Sequence, residues 1–214
     1  MFTEFKASGA QATSKIPTPK IIFFDIDDTL SRAGIIDKTN QATLEALADS
    51  DIKLVISTGR SKAILPPDIL ALLEADVLDS IICMNGQYSF DKSGRISHYP
   101  LTDQQTAKIV HLCQASNLIH KFDSATHISW SDENERLREF NARTPNSIVD
   151  PNYYQTNEVY QCSVFFNNQQ EKMQEVDFAK DGLKLVHWHN TGADILPIDA
   201  SKARGILDVC AYYG

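Results

Sequence analysis

The sequence has few cysteines, no long apolar run and no excess of basic residues. Its four cysteines include no Cys-x-x-Cys pair, so we expect free thiols in a reducing compartment, with neither a disulfide framework nor a zinc knuckle. No apolar run approaches the roughly 18 residues that a membrane span needs. The first nineteen residues lack the apolar centre of a signal peptide and are predicted to form a flexible arm. These absences favour a cytoplasmic protein.

The charge balance limits the class of partner. The chain has 28 acidic and 20 basic residues, a formal net charge of −8. Surfaces that bind nucleic acid need clustered Lys and Arg, so neither nucleic acid nor a membrane is an expected partner. A local pocket for one small phosphorylated molecule is compatible with this composition. The length of 214 residues suits one large or two modest domains.

Three short, continuous apolar runs stand out in the first part of the chain. They are Lys20–Asp25, Lys53–Ser57 and Ser80–Met84. Such runs are typical of strands buried on both faces of a parallel sheet. Helical patterns at Thr39–Ala48 and Ile69–Leu73 separate them. This alternation predicts a doubly wound, Rossmann-like α/β core made of residues 20–86 and 192–214.

Polar residues follow each of the three predicted strands. Asp25, Thr58 and Asn85 stand at or just beyond the strands' carboxyl ends. Ligands of doubly wound sheets bind at that edge. The sequence therefore predicts a ligand site where these residues meet.

Residues 87–191 lack long buried runs and are predicted to form an inserted α+β domain. Strands are predicted in a hairpin within Gln87–Tyr99 and at Leu118–Phe122, Thr126–Trp130, Val159–Phe166 and Leu183–His189. Helices are predicted after a capping-box sequence at Thr102, at Ser131–Ala142 and at Gln169–Ala179, with a loop at Pro145–Asn157. Ala193–Ile198 is expected to begin the return to the core, and Ser201 to cap a final helix.

Three acids, Asp25, Asp27 and Asp28, crowd the end of the first predicted strand. Buried carboxylates are costly unless something compensates their charge. Mg²⁺ does so with oxygen ligands and usually serves phosphate chemistry. Asp25 is then a candidate nucleophile and metal ligand, and Asp27 a candidate general acid and base. A solvated acidic turn, in which Asp27 or Asp28 caps the next segment, is the simpler alternative.

Two further segments suit a phosphate group. Thr58-Gly59-Arg60 offers a hydroxyl and backbone N–H groups, and Gly59 permits close approach. Lys202 lies near the start of a predicted helix, where a lysine opposes the helix dipole but suits a bound anion. Taken singly, an ordinary strand-to-helix turn and a surface lysine are the favoured explanations of these residues.

Four segments together resemble the haloacid dehalogenase-like hydrolase superfamily, specifically its Cof-type phosphatases with a large C2-type cap. The segments are Phe23–Leu30, Ile56–Arg60, Met84–Gly86 and Ser201–Ile206. The resemblance extends over essentially the whole chain from Lys20 onward, and the order and spacing of the segments make it specific. Asp28 stands where many Cof-type members have glycine.

The resemblance implies a mechanism and a cofactor. Asp25 would form an aspartyl-phosphate while Asp27 protonates the leaving group. Thr58 would bind the phosphoryl group, and Lys202 would hold both nucleophile and phosphate. Mg²⁺ would lie between Asp25, the Asp27 carbonyl and a later acid. The inserted domain would close as a cap that sets substrate choice. Candidate substrate-binding residues, at the rim between cap and core, are Gly59, Arg60 and Asn85.

One family motif is missing from the sequence. A Gly-Asp-x-x-Asn-Asp-like loop, which supplies the last metal ligand, should follow a further helix and strand after Lys202. The sequence stops at Gly214, within the predicted helix. We therefore expect a truncated form of a longer protein, in which magnesium binding and turnover are weak.

Three functions stay open at this point. The first is a Mg²⁺-dependent phosphatase that acts on a small phosphorylated metabolite, such as a sugar phosphate. The second is a phosphomutase of the same fold, and the third is a catalytically impaired relative that only binds. A two-component receiver domain is disfavoured, because its acidic pair precedes the phosphorylated Asp by a strand and a helix, whereas Asp25 and Asp27 share one strand end.

Overall fold

Two large β-sheets, one two-stranded sheet and their helices make up the computed structural model, which describes residues 18–32, 35–133, 135, 146–166, 173 and 175–214. The described strands are β1 (Ile21–Phe24), β2 (Ser31–Arg32), β3 (Ile35–Ile36), β4 (Lys53–Ser57), β5 (Ser80–Cys83), β6 (Tyr88–Asp91), β7 (Gly94–His98), β8 (Ile119–Asp123), β9 (Ile128–Trp130), β10 (Ser147–Val149), β11 (Gln161–Phe165), β12 (Leu183–His189) and β13 (Gly192–Pro197). The described α-helices are α1 (Lys38–Ala48), α2 (Pro67–Glu74), α3 (Asp103–Ala115) and α4 (Lys202–Tyr213). Short 3₁₀ segments occur at Lys62–Ile64, Met84–Gly86, Tyr153–Gln155 and Phe178–Asp181.

The first sheet has the strand order β1–β4–β5–β6–β7. β1, β4 and β5 are parallel, whereas β6 and β7 run antiparallel to their neighbours. Alternate side chains of β4 belong to different apolar clusters. Val55 clusters with Val209 of α4 on one face. Leu54 and Ile56 cluster with Leu44 of α1 on the other. Helices therefore cover both faces, which confirms the predicted doubly wound α/β core.

β1 occupies the edge of this sheet in the described part of the chain. It pairs with β4 alone there, and all four of its side chains are half-buried. Ile22 and Phe24 pack with one apolar cluster, and Ile21 and Phe23 with another on the opposite face. The predicted strand is confirmed, but its predicted full burial is wrong. Within the described residues, the apolar run reflects packing on both faces of the sheet.

The second sheet contains six strands in the order β10–β9–β8–β11–β13–β12. β13 lies between β11 and β12 and is antiparallel to both. The expectation that residues 192–197 already belong to the first sheet is therefore wrong. The physical reason is burial, since Ala193 and Ile195 are fully buried in the apolar cluster of the second sheet.

The β6–β7 hairpin also lies on the other side of the predicted boundary. β6 pairs with β5 in the first sheet, with Phe90 opposite Ile81. Asp91 Oδ1 accepts hydrogen bonds from the backbone N–H groups of Ser93 (2.8 Å) and Gly94 (3.0 Å), which closes the hairpin turn. The predicted hairpin is confirmed, and its assignment to the inserted domain is wrong. The 3₁₀ turn at Met84–Gly86 reverses the chain so tightly that β6 pairs directly with β5.

Two predictions for the polar middle segment need correction. The loop predicted at Pro145–Asn157 contains β10 and a 3₁₀ turn. β10 pairs in parallel with β9, and Trp130 Nε1 donates to Ser147 Oγ at 2.9 Å. The helix predicted at Ser131–Ala142 lies mostly outside the described residues, as does much of that at Gln169–Ala179. The described end of the latter, from Phe178, is 3₁₀ and not α-helical.

Two predicted helix starts are confirmed. Thr102 and Gln105 form a capping box at the start of α3. Ser201 caps α4, its hydroxyl accepting a hydrogen bond from Arg204 N at 3.1 Å. This cap makes Lys202 the first residue of α4. Within the described residues, no helix is both long and apolar enough to cross a membrane.

Candidate active site

The acidic turn lies at the carboxyl end of β1. Asp25 Oδ1 accepts a hydrogen bond from Ile26 N at 2.8 Å. Ser31 N donates to the Ile26 carbonyl at 2.9 Å, and Asp28 N donates to the Ser31 carbonyl at 3.0 Å, which closes the turn. Asp28 has a φ of 58°. Asp tolerates this left-handed conformation better than most residues and glycine adopts it freely, so the turn geometry explains why either residue suits this position.

Lys202 reaches from the start of α4 to the proposed nucleophile. Its Nζ donates to Asp25 Oδ2 at 2.8 Å. The two side chains are 37% and 43% exposed, so the pair lies in an open cleft that a ligand can enter. A half-exposed ion pair contributes little to stability. A lysine at a helix N-terminus also adds to the positive end of the dipole, so this arrangement suits a bound anion.

Thr58 is fully buried at the end of β4. Its Oγ1 accepts a hydrogen bond from Arg60 N at 3.1 Å, and its carbonyl accepts one from Asn85 N at 3.2 Å. A Cβ on Gly59 would lie 3.1 Å from Asn85 Oδ1, so the glycine allows the ends of β4 and β5 to approach closely. Thr58, Gly59 and Asn85 therefore lie together, beside the strand that carries Asp25.

Arg60 forms a bidentate ion pair with Asp27, a partnership that the sequence pattern did not indicate. Arg60 Nη2 donates to Asp27 Oδ1 at 2.6 Å, and Nε donates to Oδ2 at 3.0 Å. These hydrogen bonds are the main reason that the pKa of Asp27 lies below its ordinary value. Burial opposes the shift, and the charges of Arg60 and Lys202 add to it. In this conformation Asp27 is held as a carboxylate.

The turn at Met84–Gly86 sets the position of α4. Met84, Asn85 and Gly86 all have positive φ values, of 50°, 56° and 84°. A Cβ on Gly86 would overlap the backbone carbonyl oxygen of Ser201. The N-terminus of α4 therefore rests directly on this turn, and the contact places Lys202 opposite Asp25.

Asp25 and Asp27 are the residues that could hold a divalent cation. The Asp25 carboxylate is one donor. The Asp27 carbonyl is the other, because Arg60 occupies both side-chain oxygens of Asp27. Mg²⁺ suits one or two protein oxygen ligands together with water and phosphate oxygens, so this donor set fits Mg²⁺. In the part of the chain that the structure describes, no group of three or more His, Cys, Asp or Glu residues is placed to hold a metal ion.

The charge at the cleft also favours a cation. Lys202 pairs with Asp25 and Arg60 pairs with Asp27, so the basic groups only balance these two acids before any ligand binds. A phosphate ester would add further negative charge. Because buried or crowded like charges repel strongly, a divalent cation would offset much of this repulsion.

A cavity of about 560 Å³ separates the acidic turn from the second sheet. Asp27, Gly59, Arg60 and Asn85 line it on the side of the first sheet. On the opposite side it is lined by Lys121, Trp130, Gln161, Ser163, Phe165, Trp188 and Asp194. Sequence reasoning missed this second group, because its members lie on five separate strands and form no local motif.

The predicted site residues thus form connected groups around one cleft. Asp25 pairs with Lys202, Asp27 pairs with Arg60, and Thr58 contacts Arg60 and Asn85 through backbone hydrogen bonds. A carboxylate beside an ammonium group, a threonine and a helix N-terminus can combine nucleophilic attack with the binding of an anion.

Comparison with known proteins agrees with this geometry. A family model described as haloacid dehalogenase-like hydrolase matches residues 22–214. YkrA of Bacillus subtilis (strain 168), a protein named as an inferred phosphatase, is 26% identical over 194 residues, which cover 89% of this chain and 73% of YkrA. An inferred bifunctional phosphatase/peptidyl-prolyl cis-trans isomerase of Streptococcus pyogenes serotype M6 is 24% identical over 199 residues, which cover 91% of this chain and 41% of that protein.

Solved structures share the fold. The HAD subclass IIB sugar phosphatase BT4131 has a TM-score of 0.76 at 24% identity, over 91% of this chain and 76% of that one. The phosphatase BT1666 of Bacteroides thetaiotaomicron has a TM-score of 0.75 at 22% identity, over 94% and 77% of the two chains. At this level of identity, the likeness concerns the arrangement of both sheets.

Proposed function

Because this chain belongs to the haloacid dehalogenase-like hydrolases, we propose that it is a Mg²⁺-dependent phosphatase of a small phosphorylated metabolite, such as a sugar phosphate. The observation that carries the proposal is the 2.8 Å contact between Lys202 Nζ and Asp25 Oδ2 at the end of β1. It supports the proposal because a carboxylate suited to nucleophilic attack and an ammonium group suited to a phosphate lie side by side in one open cleft. The naming of YkrA as an inferred phosphatase supports the same reaction class.

The reaction proceeds in two displacements. A carboxylate oxygen of Asp25 attacks phosphorus, and the bond between phosphorus and the leaving-group oxygen breaks as Asp27 donates a proton to that oxygen. Asp27 then takes a proton from water, whose oxygen attacks the aspartyl-phosphate. The bond between phosphorus and Asp25 breaks, and inorganic phosphate leaves. Splitting one difficult step in this way is the general advantage of covalent catalysis.

Positioning groups account for most of the expected rate enhancement. Lys202 orients Asp25 and offsets charge on the phosphoryl group, and the N-terminus of α4 adds its positive dipole end. Thr58, at the end of the adjacent strand, is assigned to a phosphoryl oxygen. The Asp25 carboxylate and the Asp27 carbonyl would hold Mg²⁺, which would supply charge neutralisation for the phosphoryl group.

Asp27 has to leave its ion pair before it acts as an acid. Arg60 favours the ionised form of Asp27, and an ionised carboxyl has no proton to donate. Movement of Arg60 towards a bound substrate would allow Asp27 to take up a proton. Arg60 lines the cavity as well as pairing with Asp27, so a ligand there can compete for its guanidinium. Substrate binding is thereby coupled to acid catalysis.

The second sheet is proposed to act as the cap. Residues 99–198, which carry all six of its strands, lie between the β6–β7 hairpin and α4. Lys121, Gln161 and Asp194 face the acidic turn across the cavity. A wall in this position can exclude water and contact the leaving group.

Phosphate release from p-nitrophenyl phosphate tests the proposal. We expect slow, Mg²⁺-dependent release of inorganic phosphate that EDTA abolishes. Asp25→Asn should lower kcat by about 10³-fold or more, because the amide is not a nucleophile. Mass spectrometry of acid-quenched wild-type protein should detect a phosphoryl group on the peptide that contains Asp25.

Asp28→Asn is the matched control, since Asn also tolerates the left-handed conformation at that position. It should retain most of the activity. Full activity of Asp25→Asn, or undiminished activity in EDTA, would contradict the mechanism. Release of phosphate from a sugar phosphate without any bisphosphate activator separates a phosphatase from a phosphomutase.

A further inference from the structure

On the side of the cavity formed by the second sheet, Lys121 and Asp123 form a buried ion pair, and the side-chain amide of Gln161 hydrogen-bonds to Asp123. Lys121 Nζ donates to both oxygens of Asp123, at 2.7 and 2.9 Å. Asp123 is fully buried, and Lys121 is almost so. Gln161 Nε2 donates to Asp123 Oδ2 at 2.8 Å. Because the amide nitrogen is committed to Asp123, the orientation of the Gln161 side chain is set.

That orientation leaves an acceptor without a donor. Gln161 is 3% exposed, and its Oε1 is buried without a hydrogen-bond partner among the described residues. Buried polar atoms nearly always have a partner. Gln161 lines the cavity, so a donor on a bound ligand can satisfy its Oε1.

Asp194 offers a second acceptor on the same wall. Ser163 Oγ and Trp188 Nε1 donate to its Oδ1, at 2.8 and 3.1 Å. Both described hydrogen bonds fall on one oxygen, which holds the carboxylate in place and leaves Oδ2 to accept from a ligand. Lys121 is neutralised by Asp123, so Asp194 gives this wall a net negative charge. The wall therefore favours hydrogen-bond donors and disfavours a second anionic group.

Aromatic rings flank these acceptors. Trp130 stacks on Phe165, with ring centroids 5.2 Å apart and an interplanar angle of 16°. Trp188 meets Phe165 edge to face, at 6.0 Å. All three rings line the cavity. Apolar walls with a few fixed polar groups are typical of small-molecule sites, and the carbon skeleton of a polyol or sugar ring combines apolar faces with hydroxyl donors.

We propose that Asp194 and Gln161 are specificity-determining residues, which accept hydrogen bonds from hydroxyl groups of an uncharged, polyhydroxylated leaving group. This inference rests on the proposed phosphatase function and adds the choice of leaving group to it. It assigns recognition to acceptors on β11 and β13 of the second sheet. Phosphate esters of neutral polyols or sugars are then preferred over bisphosphates and over esters whose leaving group has no hydroxyl.

Steady-state kinetics with paired substrates tests the inference. The panel contains hexose and alditol monophosphates, their deoxy analogues, a hexose bisphosphate and p-nitrophenyl phosphate. Asp194→Asn can keep the contacts of Oδ1 while it places an amide donor in the position of Oδ2. It should lower kcat/KM for the best hydroxylated substrate by about tenfold or more, since a site built for a hydroxyl discriminates by its unpaired groups. For p-nitrophenyl phosphate, kcat/KM should change less than about threefold.

A second variant and a control distinguish a loss of substrate recognition from a folding defect. Gln161→Met removes the unpartnered acceptor at similar size and should give the same substrate-dependent loss. Asp177 forms a partly exposed ion pair with Lys180 and does not line the cavity, so Asp177→Asn should leave kcat/KM unchanged for both substrates. Hydrolysis of p-nitrophenyl phosphate reports whether each variant has folded with an intact catalytic centre.

The outcomes separate the two proposals. Absent or Asp25-independent hydrolysis of p-nitrophenyl phosphate overturns the phosphatase function itself. If the wild-type protein hydrolyses p-nitrophenyl phosphate and needs Asp25 to do so, three results each overturn the specificity assignment alone. They are equal losses on both substrates in both cavity variants, unchanged kinetics in both, and a wild-type protein that prefers the bisphosphate or the deoxy analogues.

Discussion

The ion pair between Asp27 and Arg60 sets the protonation of the proposed catalytic acid. The Arg60 guanidinium contacts both carboxylate oxygens of Asp27. The Asp27 side chain is 55% exposed and the Arg60 side chain 28%. At such exposure the pair adds little to stability. Its consequence is functional, because it lowers the pKa of Asp27 and so reduces the fraction of molecules that hold a proton for the leaving group.

Replacing Arg60 by Gln is expected to raise the pKa of Asp27 towards its ordinary value, since the main cause of the lowering is removed. A larger fraction of Asp27 is then protonated at each pH. For an alkyl phosphate, which needs a proton on its leaving oxygen, the alkaline limb of kcat/KM against pH should move to higher pH. The measurement is the full pH profile of the variant against wild type.

Arg95→Gln provides the control, because Arg95 lies on β7 and pairs at 3.6 Å with Glu158. Its profile should match that of wild type. An alkaline limb that stays in place or moves to lower pH in Arg60→Gln would show that Arg60 does not set the protonation of Asp27.

At the scale of single elements, the turn at Met84–Gly86 and the start of α4 act as one unit. Three successive residues with positive φ are unusual outside glycine. Gly205, one turn into α4, completes the contact, since a Cβ there would lie 3.0 Å from Gly86 Cα. Two glycines therefore set the distance between the sheet edge and the helix that carries Lys202.

Gly86→Ala should displace α4, because the added methyl group would overlap the Ser201 carbonyl oxygen at a positive φ. We expect a loss of about 1–3 kcal/mol in the free energy of unfolding. The value of kcat should also fall under conditions in which the variant is still folded, since Lys202 moves away from Asp25. Urea unfolding and kcat for p-nitrophenyl phosphate measure the two effects.

Gly182→Ala is the matched control for the glycine variant. Its φ of 65° imposes a similar backbone strain, but the nearest atom to an added Cβ is a side-chain nitrogen of Gln105, at 3.5 Å. This variant should lose about 1–2 kcal/mol and keep its kcat. Equal kcat values for the two variants would contradict the positioning role of Gly86.

At the scale of the whole molecule, Gln87 joins the two sheets and α4. Its side chain is fully buried. Nε2 donates to the carbonyls of Tyr99 (2.7 Å) and Tyr160 (3.3 Å), on the segments that enter and re-enter the second sheet. Oε1 accepts from Arg204 of α4, whose guanidinium lies 3.8 Å from the Tyr99 ring centroid.

Gln87→Leu should destabilise the protein, because it removes the side chain that hydrogen-bonds two backbone carbonyls and Nη2 of Arg204 at a buried junction. An expected cost of about 2 kcal/mol corresponds to a fall in Tm of about 4–8 °C for a chain of this size. Gln104→Leu, on the exposed face of α3, should leave Tm nearly unchanged. Thermal unfolding of both variants checks the prediction, and equal Tm values would exclude a joining role for Gln87.

The parts of the fold that the sequence predicts are those encoded by neighbouring residues. β4, β5 and the start of α3 follow from an apolar run or a capping box, and Asp25 and Thr58 follow from strand ends. Which sheet a short strand joins depends on distant partners, so the assignments of β6 and β13 failed. The pairing of Asp27 with Arg60 and the cavity wall around Asp194 also depend on residues distant in sequence, so the sequence did not predict them.

The pairing of Asp25 with Lys202 spans 177 positions in sequence. The proposed activity therefore depends on when Lys202 is synthesised and on whether α4 stays in place. Lys202 follows both sheets in the chain, so a nascent polypeptide carries the proposed nucleophile, Asp25, long before the lysine that pairs with it has been synthesised. Single elements of a protein can also open locally while the rest stays folded. Local opening of α4 would therefore remove Lys202 from Asp25 while both sheets remain folded.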